Sequence, residues 1–124
     1  EALHARGHRH VGIVYNVHHG HDHIEDFAQA FAAMKPHLLC LNLNGMCDPE
    51  EVKTRKIIPI GTGEHEKTMI AAVLASGYDG PVGIIGHRTD EDGAVTLRKN
   101  LAGLGVILAE LTAESGSLPH RRED

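Results

Sequence analysis

Apolar and polar positions along the chain follow two different periods, and the switches between them mark the elements. A short β-branched run, Val11-Gly-Ile-Val-Tyr15, ends abruptly in Asn16, His18 and His19, which predicts a strand over 10–16. From Ile24 the interval becomes helical, with Ile24, Phe27, Ala28, Phe31 and Met34 on one side until Pro36 stops the helix. The run Leu38-Leu-Cys-Leu-Asn-Leu-Asn44 predicts a second strand over 38–44. It is followed by a loop with Asp48-Pro49 and a charged stretch from Glu50 to Lys56, and then by Ile57-Ile-Pro-Ile60. Pro59 has no N–H to give to a ladder, so this last segment is not a regular central strand. Met69, Ile70, Val73 and Leu74 predict the next helix, closed by Gly77. The turn Tyr78-Asp-Gly-Pro81 leads into a third strand over 81–87. Ala94, Leu97, Leu101, Leu104, Leu108 and Leu111 then mark a long amphipathic helix whose leucines are assigned to the core. Residues 1–7 read as the tail of a helix, and 115–124 as a frayed polar tail.

A strand followed by a helix, three times over, predicts the α/β class: three βα units with parallel strands and right-handed crossovers. No linker divides them, so residues 1–114 are one domain. A free-standing sheet of three parallel strands leaves two edges unpaired and needs cover on both faces. The expectation is therefore a partial (β/α)8 barrel, missing N-terminal barrel strands or a partner half. The first residue, Glu1, is not an initiator methionine, and the N-terminus is expected to be truncated.

Composition narrows the function. The net charge of −5, with lysines and arginines interleaved with acids, excludes a general phosphate-backbone binder, so no nucleic acid is expected. Aromatic residues are 3% of the chain and tryptophan is absent, which argues against a base-stacking module. No apolar run nears the ~20 residues of a membrane span, so a soluble domain is expected, with its compartment left open. Cys40 and Cys47 form no disulfide framework. Cys40 reads as a small buried residue, and a bridge to Cys47 stays open as an alternative.

Candidate chemistry gathers at the strand ends, where parallel α/β proteins place their sites. Alternation puts Cys40, Asn42 and Asn44 on one face and Leu39, Leu41 and Leu43 on the other, toward helices. Gly12, Val14 and Asn16 share a face in the first strand, as do Gly83, Ile85 and His87 in the third. Asn16, His19, Asn42 and His87 are thus expected to converge. Five histidines, His18, His19, His21, His23 and His87, offer neutral imidazoles to an ion softer than magnesium. The alternative for His21 and His23 is a solvated helix start capped by Asp22. Asn42 and Asn44 either satisfy each other or bind sugar hydroxyls. Glu64 reads as a first-turn helix residue, and the stretch 50–56 as a solvated loop able to cover the pocket.

Three motifs carry a resemblance: Asn16-Val-His-His19, Gly61-Thr-Gly-Glu64 and Gly77-Tyr-Asp-Gly-Pro81. Over nearly its whole length the chain resembles the C-terminal part of the xylose-isomerase-like TIM barrels, the sugar phosphate isomerase/epimerase family. The resemblance implies a small-molecule carbohydrate substrate and a divalent metal. It implies His19 and His87 as catalytic residues and as the metal-ligand candidates, with Asn16, His18, Asn42, Asn44 and Arg88 binding substrate. The chain departs from the family where Asn16 stands for an aspartate, Asn42 for a histidine and Ile85 for a glutamate, so the usual carboxylate site is altered. Two further readings stand beside this one. One is a non-catalytic carbohydrate-binding barrel module; the other is a flavodoxin-like module with a cofactor in the same crevice.

Overall fold

The structure, a computed structural model, describes residues 1–116. A short helix α1 (Ala2–Ala5) precedes β1 (Ile13–Asn16), α2 (Phe27–Met34) and β2 (Leu38–Leu43). The single turn α3 (Val52–Arg55), α4 (Glu66–Ala75), β3 (Val82–Ile84) and the long α5 (Gly93–Gly116) follow. All strand pairs are parallel, in the order β1-β2-β3. The α/β class and the three parallel strands therefore stand as expected. The strands are shorter than the apolar runs. β1 starts at a register irregularity between Ile13 and Val14 and turns at once into a 3-10 helix, Val17–His19. Among the described residues β1 and β3 each have a strand partner on one side only. The frayed tail assigned to 115–124 falls, from residue 117 on, outside the described residues.

One face of the sheet builds the core. Leu41 and Leu43 are 0% and 6% exposed and join Phe27 and Phe31 of α2, Met69, Ile70 and Val73 of α4, and Ile107 of α5. Each such side chain removed from water is worth roughly 1.5–3 kcal/mol, enough to hold the helices on this face. Leu39, expected to meet helices as well, is 56% exposed and outside the apolar cluster. On the opposite face Val14 is 59% exposed, and Asn16, Cys40, Asn42 and Gly83 belong to no apolar cluster among the described residues.

The leucine stripe of α5 is not the core contact expected of it. Leu97, Leu101 and Leu108 are 48%, 51% and 39% exposed, whereas Thr96, Asn100 and Ile107 are buried and Leu104 and Leu111 pack against the cluster. The buried face is rotated off the leucines because Asn100 Oδ1 accepts the Ile60 N–H at 2.9 Å, and Gly103 lets the helix backbone close on Ile60. A polar anchor thus sets the helix rotation. Gly77, at φ +69°, adopts the left-handed turn that ends α4, as its position after the apolar repeat predicts.

The connection from β2 to α4 is held by one carboxylate. Glu66 is 3% exposed; its Oε2 accepts from Met46 N at 2.9 Å and its Oε1 from Gly61 N and Gly63 N, both at 2.8 Å. Helix α4 begins at Glu66, so Glu64, expected in its first turn, lies before the helix and is exposed. The stretch 50–56 is not a plain loop either. It winds through a 3-10 turn, Pro49–Glu51, into α3, where Thr54 Oγ1 donates to Glu51 O at 3.1 Å and Arg55 pairs with Glu51.

Candidate functional site at the strand ends

Parallel register places Asn16 opposite Asn42 and Asn42 opposite Gly83, so one row of the sheet carries two amides and a glycine. Asn42 Nδ2 donates to Asn16 Oδ1 at 2.8 Å, and the Cys40 thiol reaches Asn42 Oδ1 at 3.6 Å. A side chain at position 83 would collide with Asn42 Oδ1, which ties the glycine to the amide. Asn42 therefore pairs across strands with Asn16 and not with Asn44, which was one of the two alternatives for it. Asn44 is fully buried at the end of the same strand, and its Nδ2 donates to Gly45 O at 2.7 Å and lies 3.6 Å from Met46 Sδ.

In the segments that follow β1 and β3 the imidazoles meet. The His18 ring lies 4.1 Å from that of His19 and 6.0 Å, edge-on, from that of His87. His18 is 5% exposed, while His19 and His87 are open to solvent. His18 is thus in ring contact with both His19 and His87. Burial pushes the His18 pKa down to about 4, and nearby His19, Lys56 and His87 press in the same direction; the Asn44 amide opposes them. His18 is consequently a neutral imidazole at physiological pH. Lys56, which no spacing rule singled out, is brought here by the fold of the 48–56 segment.

Two further expectations change. His21 is buried, not solvated: its Nδ1–H donates to His18 O at 3.0 Å, and the Cys47 thiol lies 3.6 Å from its Nε2. With Nδ1 donating to a carbonyl, Nε2 of the neutral ring is the acceptor and the thiol the donor. Burial pushes the Cys47 pKa up, consistent with a thiol. Cys40 and Cys47 are both free. Asp22 caps no helix. The residue preceding α2 is Asp26, which pairs with exposed His23 at 3.2 Å. Arg88 is exposed and pairs with Asp90 at 2.7 Å.

Outside the His18–His23 turns lies an acidic cleft lined by His21, Asp22, Glu25, Asp26 and Asp48, where His65 Nε2 meets Asp48 Oδ1 at 2.6 Å. Neither His65 nor Glu66 was singled out from the sequence. The one available signal was their place after Gly61-Thr-Gly63, one and two residues beyond Glu64.

Among the described residues, no three histidine, cysteine, aspartate or glutamate side chains are placed to hold a metal ion together, and no helix is long and apolar enough to cross a membrane. Comparison with protein families, curated proteins and solved structures returns no match for this chain.

Proposed function

We propose that the strand ends bind a carbohydrate or sugar phosphate, and that the chain acts as a sugar isomerase/epimerase-like enzyme. The observation that carries this reading is the gathering of imidazoles and neutral amides toward one end of a parallel sheet: the His18 ring lies 4.1 Å from His19 and 6.0 Å from His87, in the segments that follow β1 and β3, and Asn42 bonds Asn16, the last residue of β1. Amides and neutral imidazoles offer mixed donors and acceptors, the chemistry that matches hydroxyl groups. His19 and His87, open to solvent, are the imidazoles accessible to take and return a proton next to a carbonyl. Arg88 would act from the rim. The bare sheet edges and the uncovered amide face support the barrel reading, since further strands and a partner half would pair there.

A divalent ion of the kind the resemblance implies does not fit the Asn16 and Asn42 positions, because these two amides are bonded to each other and carry no charge. His19 and His87 are the two imidazoles left to ligate one, and no step here is routed through it. The same amide pair favours the second reading, a non-catalytic carbohydrate-binding module.

Solvent-deuterium exchange separates the two. The full chain is incubated in D2O with a panel of ketoses and aldoses, with and without added manganese or zinc. Exchange at the carbon beside the carbonyl, lost in His19→Ala or His87→Ala, is the expected result. Sugar binding by calorimetry with no exchange under any condition would leave the binding module in its place.

A further inference from the structure

Helix α5 packs on its own chain through Thr96, Asn100, Gly103 and Ile107, and that contact leaves a second apolar surface turned outward. Ala94, Leu97, Leu101, Leu104, Leu108 and Leu111 follow one another at intervals of 3, 4, 3, 4 and 3 residues. This is the a/d repeat of a coiled-coil seam, whose period is about 3.5 residues and not the 3.6 of a straight helix. Leu104 and Leu111 lean on the chain's own cluster, whereas Leu97, Leu101 and Leu108 are 48%, 51% and 39% exposed. Charges are drawn off this surface: Lys99 pairs with Glu91, and Glu110 and Glu114 pair with Lys67 of α4. Beside the leucines, a side chain built at Gly105 would meet nothing, so the helix backbone there is open to close approach.

The repeat itself selects the occupant. Leucines in this spacing are matched by a helix with the same spacing, because each side chain then drops between four of the partner's. Helices α2 and α4, of 8 and 10 residues, are too short to follow the seam, and α5 has 24. The intervals also read the same from either end. A second α5 laid antiparallel therefore sets Leu97 against Leu108, Leu101 against Leu104 and Ala94 against Leu111, each contact made twice about one two-fold axis. We propose that the outward face of α5 is an interface between two copies of this chain, paired antiparallel along the leucine seam. The proposal stands independently of the carbohydrate reading.

The test is sedimentation of the full chain from micromolar to near-millimolar concentration, with circular dichroism to check the fold of each variant. The expected species is a dimer, of twice the 13.4 kDa chain mass. Leu97→Glu and Leu108→Lys should each be monomeric alone. An equimolar mixture of the two should recover the dimer, since these positions face each other across the seam. The milder Leu97→Ala should raise the dimer Kd about tenfold, and is read in place of a charged variant that fails to fold. A chain that stays monomeric throughout overturns the proposal. A dimer that survives both charged variants overturns it too, and would put the contact on another surface such as a sheet edge. Loss of the dimer in each variant with no recovery in the mixture overturns the antiparallel pairing.

Discussion

The two faces of one strand, β2, live in different solvents. Leu41 and Leu43 are sealed under three helices, while Cys40 and Asn42, one residue away on the chain, face a side where neighbouring Val14 is 59% exposed. The sealed face holds the fold together through apolar area. The open face is organised by directed contacts: an amide pair, a thiol and, at its end, three imidazoles. The difference teaches that parity sorts the residues from Cys40 to Leu43, whereas at the two ends position overrides it: Leu39, of the sealed parity, is exposed, and Asn44, of the open parity, is buried.

The largest effect should come from the sealed face. Leu41→Ala removes a fully buried side chain from between the helices and should cost about 3 kcal/mol in urea-induced unfolding. Next comes the pH dependence centred on His18. Folding holds this imidazole neutral down to about pH 4, while an unfolded chain takes up the proton near 6.5. The contribution is unfavourable to the folded state whenever the unfolded chain is charged. Stability should therefore be highest above about pH 6.5 and fall toward pH 4, by on the order of 2 kcal/mol. Unfolding midpoints across that range should lose much of their slope in His18→Gln; an unchanged slope would assign the loss to other groups.

A double-mutant cycle on Asn16 and Asn42, each changed to alanine, should return a coupling of about 1 kcal/mol, since the pair is bonded at 2.8 Å in a half-exposed setting. The smallest effect should be Val14→Ala, under about 0.5 kcal/mol. If Val14→Ala costs as much as Leu41→Ala, the open face is covered in solution and the contrast between the faces is broken.

The alternation in Leu38-Leu-Cys-Leu-Asn-Leu-Asn44 made the contrast legible, because side-chain parity in a strand is a local property. The parallel order of the strands was legible for a similar reason: apolar runs separated by helix-length segments leave few other connections. The face of α5 was not. Its leucines form the most apolar stripe, yet Asn100 is bonded to Ile60, forty residues back, and that contact fixes the helix rotation. Burial of His21 was hidden for the same reason, since its partner Cys47 belongs to the next βα unit. His18, His19 and His87 could be placed at strand ends from spacing. Which of them is buried depended on Asn44 and on Lys56, a residue read only as part of a solvated loop. The imidazole cluster was readable as a list of residues, its arrangement only from long-range contacts.

Glu66 ties Met46, Gly61 and Gly63 to the start of α4 through a single carboxylate. Glu64 N and His65 N both donate to Met46 O, at 3.0 and 3.2 Å, and close the same loop from the other side. Segments that share one acceptor cannot open one at a time. In hydrogen exchange these amides should behave as a single cooperative unit, released together or not at all. The 46–66 connection is then less a movable cover than a knot.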